Sequence, residues 1–333
     1  MTGSRVVITG VGVVDGHASG AVSRFLDESE ARRLSRICQL TVAAGRLALT
    51  EARLDPRGEL ALLIGTEFGD MVSTIAFVDG YLRAGPVGVS PLLFPHTVMN
   101  TMAATTAIDV AAKDLSLTLN VPTVAGELAI ARGAAAIRAG RIRACLAGGA
   151  DEPPPLLVST LREIGAGDDV RGEGAGFVVL ESLEGACGRG ATVLGEIIGA
   201  AWRALPARPH GIGRSAESKA IAAALAEARV DAEDIGHVYT SASGDGPRDE
   251  WERALLDKAL APHEPSRRSL GLTAGRHSGL AARSVATAAA EAADRPALVH
   301  AVARGGNQVA IVVAGPGATR DRSSAGLSER ALA

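Results

Sequence analysis

A chain of 333 residues, 47% of them hydrophobic and with a formal charge of −3, is long enough for one large domain or two fused halves around a sizeable core. The near-neutral charge, the lack of a basic block and an aromatic content of 3% argue against a nucleic-acid partner, whether held by charge or by base stacking. The three cysteines (Cys38, Cys145, Cys187) make no disulfide framework, no secretory leader opens the chain, and no apolar run is long enough to span a membrane, so a cytoplasmic chain with no membrane partner is expected.

The elements alternate between short β-branched runs and alanine-rich helical stretches, as in an α/β fold with buried strands. The first half predicts a strand at Val6–Ile8, a helix at Arg32–Ala52 and a strand at Leu60–Ile64. A strand at Leu117–Leu119, a helix at Ala125–Ala139 and strands at Ala144–Ala147 and Gly176–Leu180 follow. The second half predicts helices at Ala216–Ala228, Asp249–Leu260 and Leu280–Ala293. Its strands are expected at Val238–Thr240, Leu270–Leu272, Leu298–Ala301 and Val309–Val313. The tail from Ala318 mixes Arg, Ser and Gly and is expected to be disordered.

Two segments repeat at a constant offset of 153 residues: Ser116/Ser269, Leu117/Leu270, Leu119/Leu272, Gly126/Gly279 and Ala129/Ala282 are identical pairs. Each segment reads as strand, turn and the start of an alanine-rich helix, followed by another strand and a glycine pair, Gly148-Gly149 or Gly305-Gly306. Two related halves are expected, 1–190 and 191–317, joined near Gly185–Arg208, with 318–333 as a tail.

The segments Ala147-Gly-Gly-Ala-Asp-Glu152 and Arg171-Gly-Glu-Gly-Ala-Gly-Phe-Val-Val-Leu-Glu181 carry a resemblance to a known family. Arg5–Val13, Leu40–Leu54, Ser90–Asn100 and Ala303-Arg-Gly-Gly-Asn307 add to it. On these residues the chain resembles the β-ketoacyl synthases of the thiolase superfamily. The implied fold is α/β: two pseudo-twofold-related βαβαβαββ halves in α-β-α-β-α layers. The chain is short for that family, with gaps near Leu161–Val170 and in the second half.

The resemblance also implies a catalytic set, and this chain departs from it. The family nucleophile is a cysteine three residues before a Gly-x-x-Ala-Ile. Here Gly126-Glu-Leu-Ala-Ile130 is preceded by Thr123, whose hydroxyl stays protonated at neutral pH unless a base adjoins it. The first histidine position falls on Ser241, or on Ser243-Gly244 if two residues are lost, in a loop that Asp249 and Glu252 would anchor. The second falls on Arg276 in Gly275-Arg-His-Ser-Gly279, and a shift of one would place His277 there instead. Arginine donates only and cannot act as a base, though it could offer donors to a carboxylate, phosphate or thioester oxygen. The supporting lysine position is Gly271, and Arg304 replaces the gating phenylalanine.

Among the other candidates, Cys145 reads as a buried structural thiol, and neither Cys38 nor Cys187 has a nucleophile's context. His277 is the best candidate for a retained chemical group, and His96 reads as a turn or interface residue. No cluster has metal-ligand spacing, and no cofactor is expected. The leading expectation is a chain-length-factor-type subunit that lacks condensing activity. It would pair with an active ketosynthase and meet an acyl carrier protein. Val98, Met99 and Met102 would then set the floor of the partner's acyl tunnel, or else pack this chain's own core. The alternatives are a divergent acyltransferase or decarboxylase using Thr123 or His277 on carrier-bound substrates, and a structural homodimer or scaffold.

Overall fold

The computed structural model describes residues 4–16, 19–55, 59–165, 169–204 and 217–317. The first half runs β1 (Val6–Asp15), α1 (Ser19–Phe25), α2 (Glu28–Ala31), α3 (Arg36–Ala52), β2 (Leu60–Thr66), α4 (Met71–Ala84), α5 (Thr101–Asp109), β3 (Ser116–Asn120), α6 (Ala125–Arg138), β4 (Ala144–Asp151), α7 (Pro155–Glu163) and β5 (Gly174–Ser182). It continues through α8 (Leu183–Gly188), β6 (Gly195–Ala204), α9 (Lys219–Ala228), β7 (His237–Tyr239), α10 (Gly246–Leu260), β8 (Ser266–Arg268), α11 (Gly271–Ala274), α12 (Leu280–Glu291), β9 (Ala297–Val302) and β10 (Asn307–Ala314).

The strands lie in the order β3-β2-β4-β5-β1-β6-β10-β9-β7-β8. Each strand of the first five has its counterpart five numbers later, mirrored about the β1–β6 junction. That junction is short, pairing only Val6–Ile8 with Gly195–Ile197. Helices α6 and α12 are covered by both five-strand runs: Ile130 and Ile137 of α6 and Val285 of α12 share one core with Ile8, Leu63 and Val178 on one side and Ile311 and Val313 on the other. On the outer faces, Ile37 and Leu40 of α3 pack on Leu62 and Val179, and Ile221 of α9 packs with Leu256 of α10 on Val312. The result is five alternating layers, an α/β architecture whose apolar core lies between the layers.

Gly126 lets α6 approach the start of α12 closely, and Gly279 lets the start of α12 approach β5. A Cβ at Gly126 would collide with the Ser278 carbonyl, and one at Gly279 would lie 2.5 Å from the Gly176 amide nitrogen. These are two of the glycines that the repeat and the family motifs single out.

Several expectations change. Leu270–Leu272 is not a strand: the edge strand is Ser266–Arg268, and Gly271–Ala274 forms one helical turn. The repeat offset holds for the first residues of β4 and β9 but not between β3 and β8, because the second half spends those residues on the turn before Arg276. Helix α3 starts at Arg36, since Ser35 is extended (φ −63°, ψ 159°) and the residues before it form the separate one-turn α2, capped by Asp27. Strand β6 escapes the sequence reading because Gly195-Glu-Ile-Ile-Gly-Ala-Ala-Trp has little β-branched character. Its pairing along β10 makes it a strand. The predicted starting residue Ala216 and the tail 318–333 lie outside the described residues. Among the described residues no helix is long and apolar enough to cross a membrane.

Candidate functional site

The end of β3 turns into α6 at Thr123, which has φ 68°. That left-handed conformation is a genuine outlier for a β-branched residue and costs on the order of 1–3 kcal/mol. It places Thr123 immediately before the N-terminus of the central helix. Among the described residues Thr123 Oγ1 makes no hydrogen bond, so no base is in place to activate it. Thr123→Gly is expected to raise stability by about 1 kcal/mol, read as a higher urea midpoint at unchanged slope.

Across the symmetry axis, Ser241 is held by Glu252, which accepts from the Ser241 backbone N–H at 3.2 Å and its hydroxyl at 3.0 Å. Val302 N–H donates to Ser241 Oγ, and Glu252 also meets His300 Nδ1 at 2.9 Å inside the protein. Asp249 accepts from the N–H groups of Ser243 and Gly244. Glu252 and Asp249 thus anchor the loop. Arg248, only 1% exposed, donates to the Ser241 carbonyl, Ser243 Oγ and Asp249. Ser243 is therefore occupied inside the loop, and of the two serine candidates it is Ser241 that faces the cavity.

Arg276 sits in a buried network of alternating charges. It donates to Asp169 at 2.8 Å and to Glu67 at 2.7 Å, and Arg171 bridges the same two carboxylates at 3.3 and 3.2 Å while lying over the Phe68 ring. Burial works against the Arg276 charge, but Glu67 and Asp169 outweigh it and raise its pKa above the ordinary value. Burial likewise opposes the Asp169 charge, yet Arg276 and Arg171 hold this carboxyl below its usual range. The expectation that Arg276 offers donors to a ligand is thereby corrected: its donors are committed within the chain.

Thr123, Ser241, Arg276 and His277 all line one cavity of about 20 Å³, which has room for a single water molecule. The sequence reading brought the right residues together but missed Glu127, in the first turn of α6, which also lines it. Burial pushes the Glu127 carboxyl up to about 7; the charge of Glu252 adds to this, while the Arg276 and Arg248 charges oppose it. Glu127 lies inside the Gly-x-x-Ala-Ile motif, so its position one residue after the glycine was the available signal.

Of the other candidates, some border this cavity and some lie away from it. The His277 imidazole is buried against Gly174, its Nε2 3.7 Å from Asp15, and neither ring nitrogen has a hydrogen-bond partner. Leu270 and Leu280 help close the cavity, and Gly271, at the lysine position, has no space for a side chain: a Cβ there would lie 2.8 Å from the Ala242 carbonyl oxygen. Arg304 is a second correction. It does not line the cavity but turns to Asp245, gripping both carboxylate oxygens at 2.6 Å. Met102 is fully buried in this chain's own core beneath α3. Val98 and Met99 are exposed. The three thiols are free: Cys38 and Cys145 are buried and Cys187 is exposed on α8, with burial pushing the Cys145 thiol well up.

This geometry can be set against known proteins. Residues 21–162 match the family model described as Beta-ketoacyl synthase, N-terminal domain. The chain is 28% identical over 270 residues to the 3-oxoacyl-[acyl-carrier-protein] synthase 2 of Synechocystis sp., covering 72% of this chain and 64% of that relative. The chain is similar to the β-ketoacyl synthases over these stretches. The enzyme of the same name from Staphylococcus aureus is 27% identical over 255 residues, covering 67% of this chain and 62% of the enzyme. The chain thus spans a little under two thirds of the length of these ketosynthase relatives.

The fold is that of the thiolase-type ketosynthases. A solved structure titled the ishigamide ketosynthase/chain length factor superposes with a TM-score of 0.79 at 21% identity, covering 94% of this chain and 99% of that one. A type II polyketide synthase acyl-carrier protein in complex with its ketosynthase gives 0.79 at 18% identity, covering 94% and 99%. A β-ketoacyl synthase from Burkholderia phymatum gives 0.78 at 21%, with the same coverage.

Proposed function

We propose that this chain is a non-catalytic, chain-length-factor-type subunit that pairs with an active β-ketoacyl-carrier-protein synthase in polyketide or fatty-acid-type biosynthesis. One observation carries the reading. The cavity between Thr123, Ser241 and Arg276 is about 20 Å³, and Ser241 and Arg276 beside it are held by Glu252, Asp169 and Glu67. No acyl chain fits in that volume, and among the described residues the Thr123 hydroxyl makes no hydrogen bond to a base. Claisen condensation needs a thiolate-grade nucleophile and donors directed at a developing oxyanion, neither of which this constellation supplies.

The partner half of the proposal rests on the surface. Tyr81, Leu82, Val87, Leu92 and Phe94 are exposed on one continuous segment that leads to Val98 and Met99, and this run of exposed apolar side chains supports an interaction site there. The edge strand β3 is also uncovered on its outer side. Relatives solved as a ketosynthase/chain length factor and as a carrier-protein complex with a ketosynthase make those two classes of partner the natural ones to test. On the same footing we take 1–190 and 191–317 as the two halves.

Met99→Ala, co-expressed with the ketosynthase, is expected to leave the complex intact and lengthen its products. Co-purification and product mass spectrometry read the two effects, and unchanged products would remove Val98 and Met99 from the tunnel floor. A homodimer or scaffold would instead self-associate without retaining a ketosynthase. The strained Thr123 backbone favours one competing reading, an acyltransferase or decarboxylase, which predicts acylation of Thr123 or loss of CO2 from malonyl-carrier protein by the chain alone.

A further inference from the structure

Outside the old catalytic cavity, three metal-ligating side chains from separate parts of the chain converge. They are Cys38 of α3, Asp70 at the N-cap of α4, and His96 in the one-turn segment Phe94–Thr97. Their ligand atoms all lie within 4.8 Å of one another, and His96 Nδ1 is 3.8 Å from Asp70 Oδ2. Cys38 and Asp70 are buried, while the His96 side chain is 24% exposed and leaves a route from solvent.

We propose that Cys38, Asp70 and His96 form a binding site for a divalent cation of the zinc class. One thiolate, one imidazole and one carboxylate suit zinc rather than magnesium or calcium, which take oxygen ligands. Asp70 is already oriented for the task. The Ser73 hydroxyl donates to Oδ2 at 2.9 Å and the Ser73 N–H to Oδ1 at 2.9 Å, which fixes the carboxylate as an outer partner fixes a metal ligand. Glu152 supplies a second, independent indication. Its Oε2 is buried with no hydrogen-bond partner, and the carboxyl is close enough to Asp70 for their negative charges to oppose each other. A cation at Asp70 would relieve that opposition, with a water as fourth ligand. On binding, Cys38 releases its thiol proton to solvent and His96 coordinates as neutral imidazole.

Such an ion would staple the Phe94–Thr97 turn to the core helix α3. This turn belongs to the exposed apolar segment, so the metal would order the surface offered to a partner. The site itself does not depend on the partner reading, because its test measures metal binding alone.

The full chain, stripped with EDTA and titrated with Co2+ without oxygen, is expected to develop a thiolate-to-cobalt charge-transfer band that saturates at one equivalent and is bleached by Zn2+. Cys38→Ser should abolish the band, whereas Cys187→Ser, on the exposed thiol, should keep it. His96→Ala should also abolish it; this side chain is partly exposed, so a folding failure of the Cys38 variant does not decide the matter. No band in the wild-type chain, a band that survives His96→Ala, or a band lost with Cys187→Ser would each overturn the site.

Discussion

Replacing Arg276 by methionine is expected to destabilise the chain by about 3–5 kcal/mol, because it leaves Glu67 and Asp169 buried with only Arg171 between them. Urea unfolding measures it, and a loss below about 1 kcal/mol would mean that the pair is solvated and the network incidental. The same network bears on function. Arg276→His, which reinstates the family's histidine, removes the cation that both carboxylates need. Even combined with Thr123→Cys and Ser241→His it is not expected to yield a condensing enzyme, since Gly271 has no space for the lysine.

Glu127 provides a large pH effect. Its carboxyl ionises near 7 in the fold against 4.5 for an ordinary glutamate. A raised carboxyl means that the unfolded chain ionises first. Stability is therefore full below about 4.5, falls as the pH rises towards 7, and stays at the reduced level above it. Glu127→Gln keeps the shape and removes the titration. It is expected to be more stable than wild type by about 2–3 kcal/mol at pH 8 and equal to it at pH 4. Urea midpoints at the two pH values check this; equal stability at pH 8 would show that Glu127 reaches water.

Much of the fold was legible because its rules are local. Alanine-rich runs ending at glycine pairs gave α6 and α12, and β-branched runs gave β2, β9 and β10. The repeat at Gly126 and Gly279 marked the two helices that meet at the centre. What stayed hidden depends on contacts distant in sequence. Strand β6 exists because β10 pairs with it, and Leu270 is drawn out of a strand by the turn that places Arg276 beside Glu67. The site divides the same way. Thr123, Ser241 and Arg276 follow from motif spacing, but Glu67 and Asp169 carry no spacing signal relative to Arg276. Cys38, Asp70 and His96 come from three segments with no periodic relation, so no scan for ligand spacing would join them. Met102 reads like Met99 in sequence, and only packing beneath α3 separates the buried residue from the exposed one.

The most direct test is to incubate the purified chain with malonyl- and acyl-carrier protein, alone and together with a co-expressed ketosynthase. Mass spectrometry would then follow protein acylation and product. The account predicts no acylated Thr123, no loss of CO2 and no condensation product from the chain alone, and product only when the ketosynthase is present. Turnover by the chain alone that disappears in Thr123→Ala would contradict it.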